Sequence, residues 1–299
     1  MDYKKIVKDQ DTRFKILNML SWVPDSIMLR FQYRIQLGRW PDFKHPKRFT
    51  EKLQLYKMKY RNPIMHQCVD KYEVRKYVES KGLGHILNEL YGVYNSPEDI
   101  DFSKLPNQFV IKTTDGGGGL NVIVVKDKSK EDIQTIYEKL RLWLNNKKSA
   151  AAAGREWAYI SDYPSRIIIE KYLEDKTGGG NLSDYKFMFF DGVFKCLWID
   201  KDRYTNHHRG FWNENFSFLS NVKSDHDTFE NPPRLSDNIL NMKSIAEKLA
   251  EGFPYARIDL YDVNGEIFFG EITYYPWSGY VQFTPDSFDY QLGSYFPKL

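Results

Sequence analysis

The chain has 299 residues, with 43 Lys and Arg against 40 Asp and Glu for a formal charge of +3. That length allows one large domain or roughly two to three small ones with an ample core, while charge so near balance gives a nucleic-acid partner no support. The sequence holds no apolar window of about 18 residues, which excludes a membrane-spanning helix. Cys68 and Cys196 lie far apart without metal-type spacing, and the charged start MDYKKIVKDQD leads into no signal-peptide core. Reduced thiols in a cytosolic protein are expected.

Residues 1–69 read as helices. Apolar residues recur at helical spacing over 14–36 with a break at Pro24, after which Asp25 is expected to cap a new helix, and a polar turn leads to a second helix from Thr50. No chemistry is visible there, so packing is the expected role. Asp70 should cap the helix in DKYEVRKYVESKG, with Val74, Tyr77 and Val78 buried and Gly82 ending it. Lys71 and Arg75 share its polar face.

Residues 108–126, QFVIKTTDGGGGLNVIVVK, read as two strands around four glycines. Glycine weakens a strand, so Gly116, Gly117, Gly118 and Gly119 fit a flap whose amides approach phosphate, with Lys112 supplying charge beside it. The pattern is neither a P-loop nor a dinucleotide fingerprint. Ser129 should cap a helix to about Asn146 with Ile133, Ile136, Tyr137, Leu140 and Leu144 inward. Alanines 150–153 are unusual in so tyrosine-rich a chain and fit native helix or loop as well as an introduced replacement.

RIIIE (166–170) is a short buried strand that opens into the polar, glycine-rich KYLEDKTGGGNLSD, a hinge where a nucleotide base can meet exposed backbone. DYKFMFF and VFKCLWI form a hairpin through Asp191-Gly192, with Lys186 on the face of Asp184 and Met188. Residues 200–235 read as polar loop, in which the adjacent His207 and His208 fit a surface better than a metal site. Ser236 should cap a helix to about Glu251, with Ile239, Met242, Ile245, Ala246 and Leu249 inward. Residues 276–299 read as an irregular tail.

The stretch YARIDLYDVNGEIFFGEITYY (255–275) reads as two strands joined at Val263, Asn264 and Gly265. A three-residue loop with Gly265 left-handed places Arg257, Asp259, Glu271 and Thr273 on one face, and Ile258, Leu260, Phe268 and Ile272 on the other. A two-residue Asn-Gly turn would separate Asp259 from Glu271 and bury charge among aliphatic side chains, so the odd loop is expected. Two carboxylates on adjacent strands with a hydroxyl nearby are hard oxygen ligands suited to magnesium bound to a nucleotide.

FTEKLQLYKMKYRNP (49–63), VDKYEVRKYV (69–78), FVIKTTDGGGG (109–119), GREW (154–157), RIIIEKYLED (166–175), SDYKFMFFDG (183–192) and FGEITYYPWSG (269–279) together resemble the ATP-grasp superfamily. The similarity is to its TupA-like branch, associated with teichuronopeptides and bacterial surface polysaccharides. The resemblance implies an α+β architecture: a helical lead over 1–69, a lobe with the glycine flap over 70–170, and a C-terminal lobe with a metal-binding hairpin over 171–299. The two lobes would close on ATP and magnesium. By similarity to D-alanine:D-alanine ligase, R-x-D falls on Arg257 and Asp259, and E-x-N on Glu271 with Thr273 in the asparagine place. Arg257 would stabilise the oxyanion, Asp259 bind one magnesium and Glu271 bridge two; a hydroxyl in place of the amide departs from the pattern and weakens the second metal's shell. E-K-x-L falls on Glu170, Lys171 and Leu173 at the adenine, Lys112 and Lys186 fall on the phosphate-binding lysines, and Lys71 on a further ATP contact. Glu174, Asp175 and Asp184 all compete for the ribose.

The chemistry implied is attack of a carboxylate on the γ-phosphate of ATP and of an amine on the acylphosphate. The acid would be a uronic acid or peptide-like chain end of a surface polysaccharide or its precursor, the amine an amino acid or amino sugar, and polysaccharide-synthesis enzymes at the membrane the associated partners. Two other readings compete. Asp200-Lys201-Asp202 after an apolar strand is a D-x-D pattern able to hold the metal of a nucleotide sugar in a glycosyltransferase, and the scaffold could serve as a non-catalytic binding module. A protein kinase is disfavoured because no H-R-D or D-F-G set is present.

Overall fold

The computed structural model describes residues 12, 16–17, 19–116, 121–145, 149–160, 163–175, 182–201 and 206–299. Helix α1 (Asp25–Leu37) starts directly after Pro24, so Asp25 sits in the first turn, where its charge meets the helix dipole, and not at the cap as expected. Three helices come next: α2 (Phe49–Lys59), α3 (Ile64–Val69) and α4 (Val74–Ser80). Asp70 Oδ1 accepts the Tyr72 and Glu73 N–H groups at 2.9 Å each, capping a turn that winds into α4. Val74, Tyr77 and Val78 are buried as expected, and Gly82 at φ 73° ends the segment.

Strands β1 (Leu90–Tyr94), β2 (Phe109–Thr113), β3 (Val122–Val125) and β4 (Ile167–Lys171) form an antiparallel sheet in the order β1-β4-β2-β3. Between β3 and β4 come α5 (Ile133–Asn145) and α6 (Ser149–Ala153). Ile136 and Leu140 of α5 share a core with Phe109, Ile111, Ile167 and Ile169. Asp132, immediately before α5, accepts the Gln134 N–H at 3.0 Å and caps the helix. Ser129 lies earlier, in a short turn bonded to Asp127, which corrects its expected role.

The second sheet is formed by β5 (Asp184–Phe190), β6 (Val193–Lys201), β7 (His208–Asn213), β8 (Tyr255–Val263) and β9 (Glu266–Thr273), antiparallel in the order β7-β6-β5-β8-β9. Helix α7 (Ile239–Ala250) lies between β7 and β8, and α8 (Ser287–Tyr295) comes after β9. The Asp191-Gly192 turn forms as expected, with φ of 50° and 73° and Phe190 paired to Val193. Strand β7 corrects the expectation of loop over 200–235: its Arg209 is buried but satisfied by Asp200, so a polar-looking segment can complete the sheet.

Helix α8 corrects the irregular tail. Phe288, Leu292 and Phe296 are buried one turn apart, and Gly293 lets the helix touch α2, since a Cβ there would lie 2.1 Å from Lys47 O. Asp289 is buried against the start of α2, accepting from Thr50 N at 3.0 Å and Thr50 Oγ1 at 2.8 Å. Phe49 and Tyr56 of α2 pack in one core with Phe190, Tyr255 and Phe296. Cys68 and Cys196 are buried free thiols. Among the described residues no helix is long and apolar enough to cross a membrane.

Candidate active site

β8 and β9 are joined by a two-residue turn, with Val263 paired to Glu266, Asn264 at φ 55° and Gly265 at φ 88°. The expected three-residue loop is therefore wrong, yet Asp259 and Glu271 still share a face. The ladder slips by one residue: Asp259 pairs with Glu271 and Leu260 with Phe269, leaving Gly270 as a β-bulge. Glycine is required there because a Cβ would sit 2.9 Å from Asp259 O and 3.0 Å from the Tyr261 ring. The slip also moves Phe268 from the expected core face to the face of Tyr261, its partner, and sends Ile267 and Phe269 to the core.

Four side chains of this face form one charged cluster. Arg257 donates from Nε to Asp259 Oδ1 and from Nη2 to Asp259 Oδ2 and Glu271 Oε1, all at 2.6 Å. Thr273 Oγ1 donates to Glu271 Oε1 at 3.0 Å. From β5, Lys186 Nζ bonds Asp259 Oδ2 at 2.6 Å and also Asp184, on the face expected for it. Burial pushes the Asp259 carboxyl up to about 6, against the pull of Arg257 and Lys186. Burial also acts to raise Glu271, but Arg257, Lys186 and Lys71 outweigh it and hold that carboxyl at about 2. The Glu271 side chain is 45% exposed and the Asp259 side chain 2%, so Glu271 is the acid that opens toward solvent.

Lys71 comes from the small-sheet side. Its N–H donates to Thr114 O at 3.0 Å, its Nζ donates to Gly116 O, and its charge reaches both Glu271 and Lys112. Burial lowers its pKa, partly offset by Glu271. Lys112 Nζ bonds Glu170 Oε2 at 2.7 Å, and Arg75 approaches Glu170 at 3.8 Å. Gly117, Gly118 and Gly119 lie outside the described residues.

At the hinge the Lys171 N–H donates to Glu89 O at 2.9 Å and Lys171 O accepts from Asn88 Nδ2 at 2.8 Å, so those backbone groups are already engaged. Leu173 and Asp175 are half-buried, and the hairpin tip reaches this segment through Asn264 Nδ2, 3.1 Å from Glu174 O. Of the three acids competing for the ribose, Asp184 is turned into the Lys186 cluster.

Several residues in the site were assigned no role from the sequence. Trp198 of β6 lies beneath Arg257, its ring 4.7 Å from the guanidinium, and stacks on Trp277 at 4.2 Å. Trp277, Ser278 and Gly279 are consecutive left-handed residues, φ 51°, 54° and 71°; such a backbone is unfavourable by roughly 1–2 kcal/mol per non-glycine residue. Helix α2 holds the turn in place. Lys57 Nζ, fully buried, donates to Ser278 O and Ser278 Oγ at 2.8 Å each and to Gly154 O at 3.1 Å, and Gln54 Nε2 donates to Ser278 O and Gly279 O at 3.1 and 3.2 Å. Burial pulls Lys57 down to about 8, against Glu156 at 3.7 Å. A lysine four residues after the buried Leu53 and next to the buried Tyr56 was the signal available in the sequence.

Asp200 of the D-x-D pattern is buried and saturated: it accepts from Arg209 Nε at 2.6 Å and Trp198 Nε1 at 3.2 Å and pairs with His207 at 3.0 Å. Asp202 lies outside the described residues. His207 is thus tied inward while His208 points elsewhere, which modifies the surface reading for the first of the pair.

Among the described residues no three His, Cys, Asp or Glu side chains converge as a ready-made metal cage. The donor set nevertheless fits magnesium delivered with phosphate. Asp259, Glu271 and Thr273 offer oxygen donors on one face, and phosphate oxygens would supply the remaining ligands. Lys71, Lys112, Lys186 and Arg257 would supply the positive charge a triphosphate needs.

A family profile described as TupA-like ATPgrasp matches residues 51–297. No curated protein matches the sequence. Solved structures similar to the chain include D-alanine–D-alanine ligase from Bacillus anthracis, at 21% identity over 69% of this chain and 57% of that one, TM-score 0.39. Others are N5-carboxyaminoimidazole synthetase from Staphylococcus aureus complexed with ADP (16%, 79% and 52%, 0.45) and L-amino acid ligase from Bacillus licheniformis (14%, 77% and 49%, 0.44). The chain spans about half the length of these structures. Since the profile covers 247 of the 299 residues, the chain belongs to the TupA-like ATP-grasp family and has its fold.

Proposed function

We propose that the protein is an ATP-dependent ligase that joins a carboxylate to an amine through an acylphosphate. The observation that carries this reading is the meeting of two halves: Lys71, bonded to the first residue of the glycine segment, lies within electrostatic reach of Glu271 on the far sheet. Phosphoryl transfer asks a protein mainly for positioning and charge neutralisation, and the cluster consists of lysines, an arginine and carboxylates. Lys71, Lys112 and the amides of Gly116, Gly117, Gly118 and Gly119 would bind the phosphates. Glu170, Lys171 and Leu173 would border the adenine and Glu174 or Asp175 the ribose, since Asp184 is buried in the Lys186 cluster. Magnesium, held by Asp259 and Glu271 with Thr273 beside them, would neutralise phosphate charge.

The substrate carboxylate oxygen attacks the γ-phosphorus and ADP leaves. The amine lone pair then attacks the acyl carbon, phosphate leaves, and one proton is released. Lys186 would steady the transferring phosphoryl group, and Arg257 would offset charge on the carbonyl oxygen, a contribution of roughly 3 kcal/mol. In this reading the acid is a uronic acid carboxylate of a surface polysaccharide or its precursor, handled in the cytoplasm, and the amine an amino acid or amino sugar. Family resemblance supports that choice, and half-buried Trp277, stacked on the Trp198 ring that lies against Arg257, offers a flat apolar wall for a sugar ring.

The test is ADP release with magnesium and ATP against a panel of uronic acids, uronic acid-bearing nucleotide sugars and amines. Release that requires both acid and amine, with hydroxylamine trapping a hydroxamate, is expected. Nucleotide-sugar consumption without ADP release, or nucleotide binding without turnover across the panel, would overturn it.

A further inference from the structure

The outer face of the N-terminal helices carries the chain's concentration of exposed apolar side chains. Ile27, Phe31 and Ile35 of α1, four residues apart, form one outward stripe, and Phe31 meets Trp40 edge-on at 5.6 Å. Trp22 is 79% exposed, Trp40 57% and Phe31 54%. Elsewhere among the described residues the exposed large apolar side chains stand singly along the sequence.

The charges around this stripe are mainly basic, with the exposed Asp42 within electrostatic reach of Arg30. Between Asp25 and Asp42 the sequence contains no acid, and the exposed Arg30 and Arg34 border the stripe, Arg30 lying 4.7 Å over the Phe43 ring. Residues 1–48 hold eleven Lys and Arg against five Asp and Glu, a surplus of six where the whole chain has three. We propose that this face docks on a bilayer of anionic phospholipid, with the tryptophans and Phe31 at headgroup depth and the arginines on phosphate. Aromatic and aliphatic side chains flanked by Arg suit that interface. A symmetric second copy would set Arg30 and Arg34 against their own counterparts, and a soluble polyanion would leave the apolar stripe in water. The inference is independent of the ligase reading and would hold for a protein with no turnover.

The full chain would be sedimented with vesicles of phosphatidylcholine alone and of phosphatidylcholine with phosphatidylglycerol. Binding to the anionic vesicles, weakened by salt, is expected. Trp22→Ser with Phe31→Ser, and separately Arg30→Glu with Arg34→Glu, should each lower it about tenfold or more, with thermal unfolding close to wild type because all four side chains are exposed. Equal binding to both vesicle types, no binding, or undiminished binding by both variants would overturn the proposal. So would a dimer in solution that the first variant dissociates while no vesicles are bound.

Discussion

In the five-stranded sheet Lys186, Arg257 and Asp259 are each under a tenth exposed and both cations bond Asp259, whereas in the four-stranded sheet the Lys112 side chain is 30% exposed and meets Glu170. The metal side is thus a fixed arrangement in which each charge restrains the next. The side proposed to hold phosphate is looser, with Lys112 the more exposed of its cations. Substitutions in the two sheets should therefore fail in different ways, one by losing structure with activity and the other by losing affinity alone.

Asp259→Asn should have the largest effect. It leaves Arg257 and Lys186 short of a buried partner, which typically costs 3–5 kcal/mol, and removes a ligand, with ADP release falling roughly 10³-fold. Glu271→Gln, at the exposed end of the cluster, should show the activity loss with a near-normal urea midpoint; a large stability loss there would erase the contrast. Lys57→Met should cost about 2–4 kcal/mol by stranding the carbonyls of Ser278 and Gly154. It also has a pH signature. The folded pKa of Lys57, about 8, lies below its ordinary 10.5, so the unfolded chain binds more protons between those values. Wild-type stability should then rise relative to the variant as pH climbs from about 8 to 10, by up to about 3 kcal/mol. A flat difference would mean that Lys57 titrates normally.

Gly270→Ala should destabilise by about 1–3 kcal/mol through the contact with Asp259 O and weaken magnesium-nucleotide binding. Deleting Gly270 leaves a regular ladder that still pairs Asp259 with Glu271, so the deletion should retain more activity than the alanine variant. The smallest effect belongs to Lys112→Ala: a raised KM for ATP at nearly unchanged kcat, with stability within about 1 kcal/mol of wild type.

Much of this was legible because its signals are local. The Asp191-Gly192 hairpin, the face of Lys186 and the stripe on α4 come from spacing over a few residues. The hairpin acids were placed on the right face by the wrong route: the parity argument held, but a bulge at Gly270 changes parity as well as a loop does, and a glycine inside a strand was its visible sign. α8 escaped because Asp289 and Gly293 interrupt its apolar pattern, and both are explained only by α2, more than 200 residues earlier. Lys57 escaped for the same reason. Its partners Ser278 and Gly154 are distant in sequence, so a helix whose pattern speaks only of packing holds a strained turn of the site.

The bond from Asn264 to Glu174 ties the tip of the β8–β9 ribbon to the crossing between the sheets. An extended strand is stiff along its length, so any swing of the small sheet would be carried from Asn264 to Glu271, a span of ~23 Å. Under the proposed function, closing over a nucleotide and aligning the acid that would receive its metal would be geared to each other, one displacement at opposite ends of a single rod.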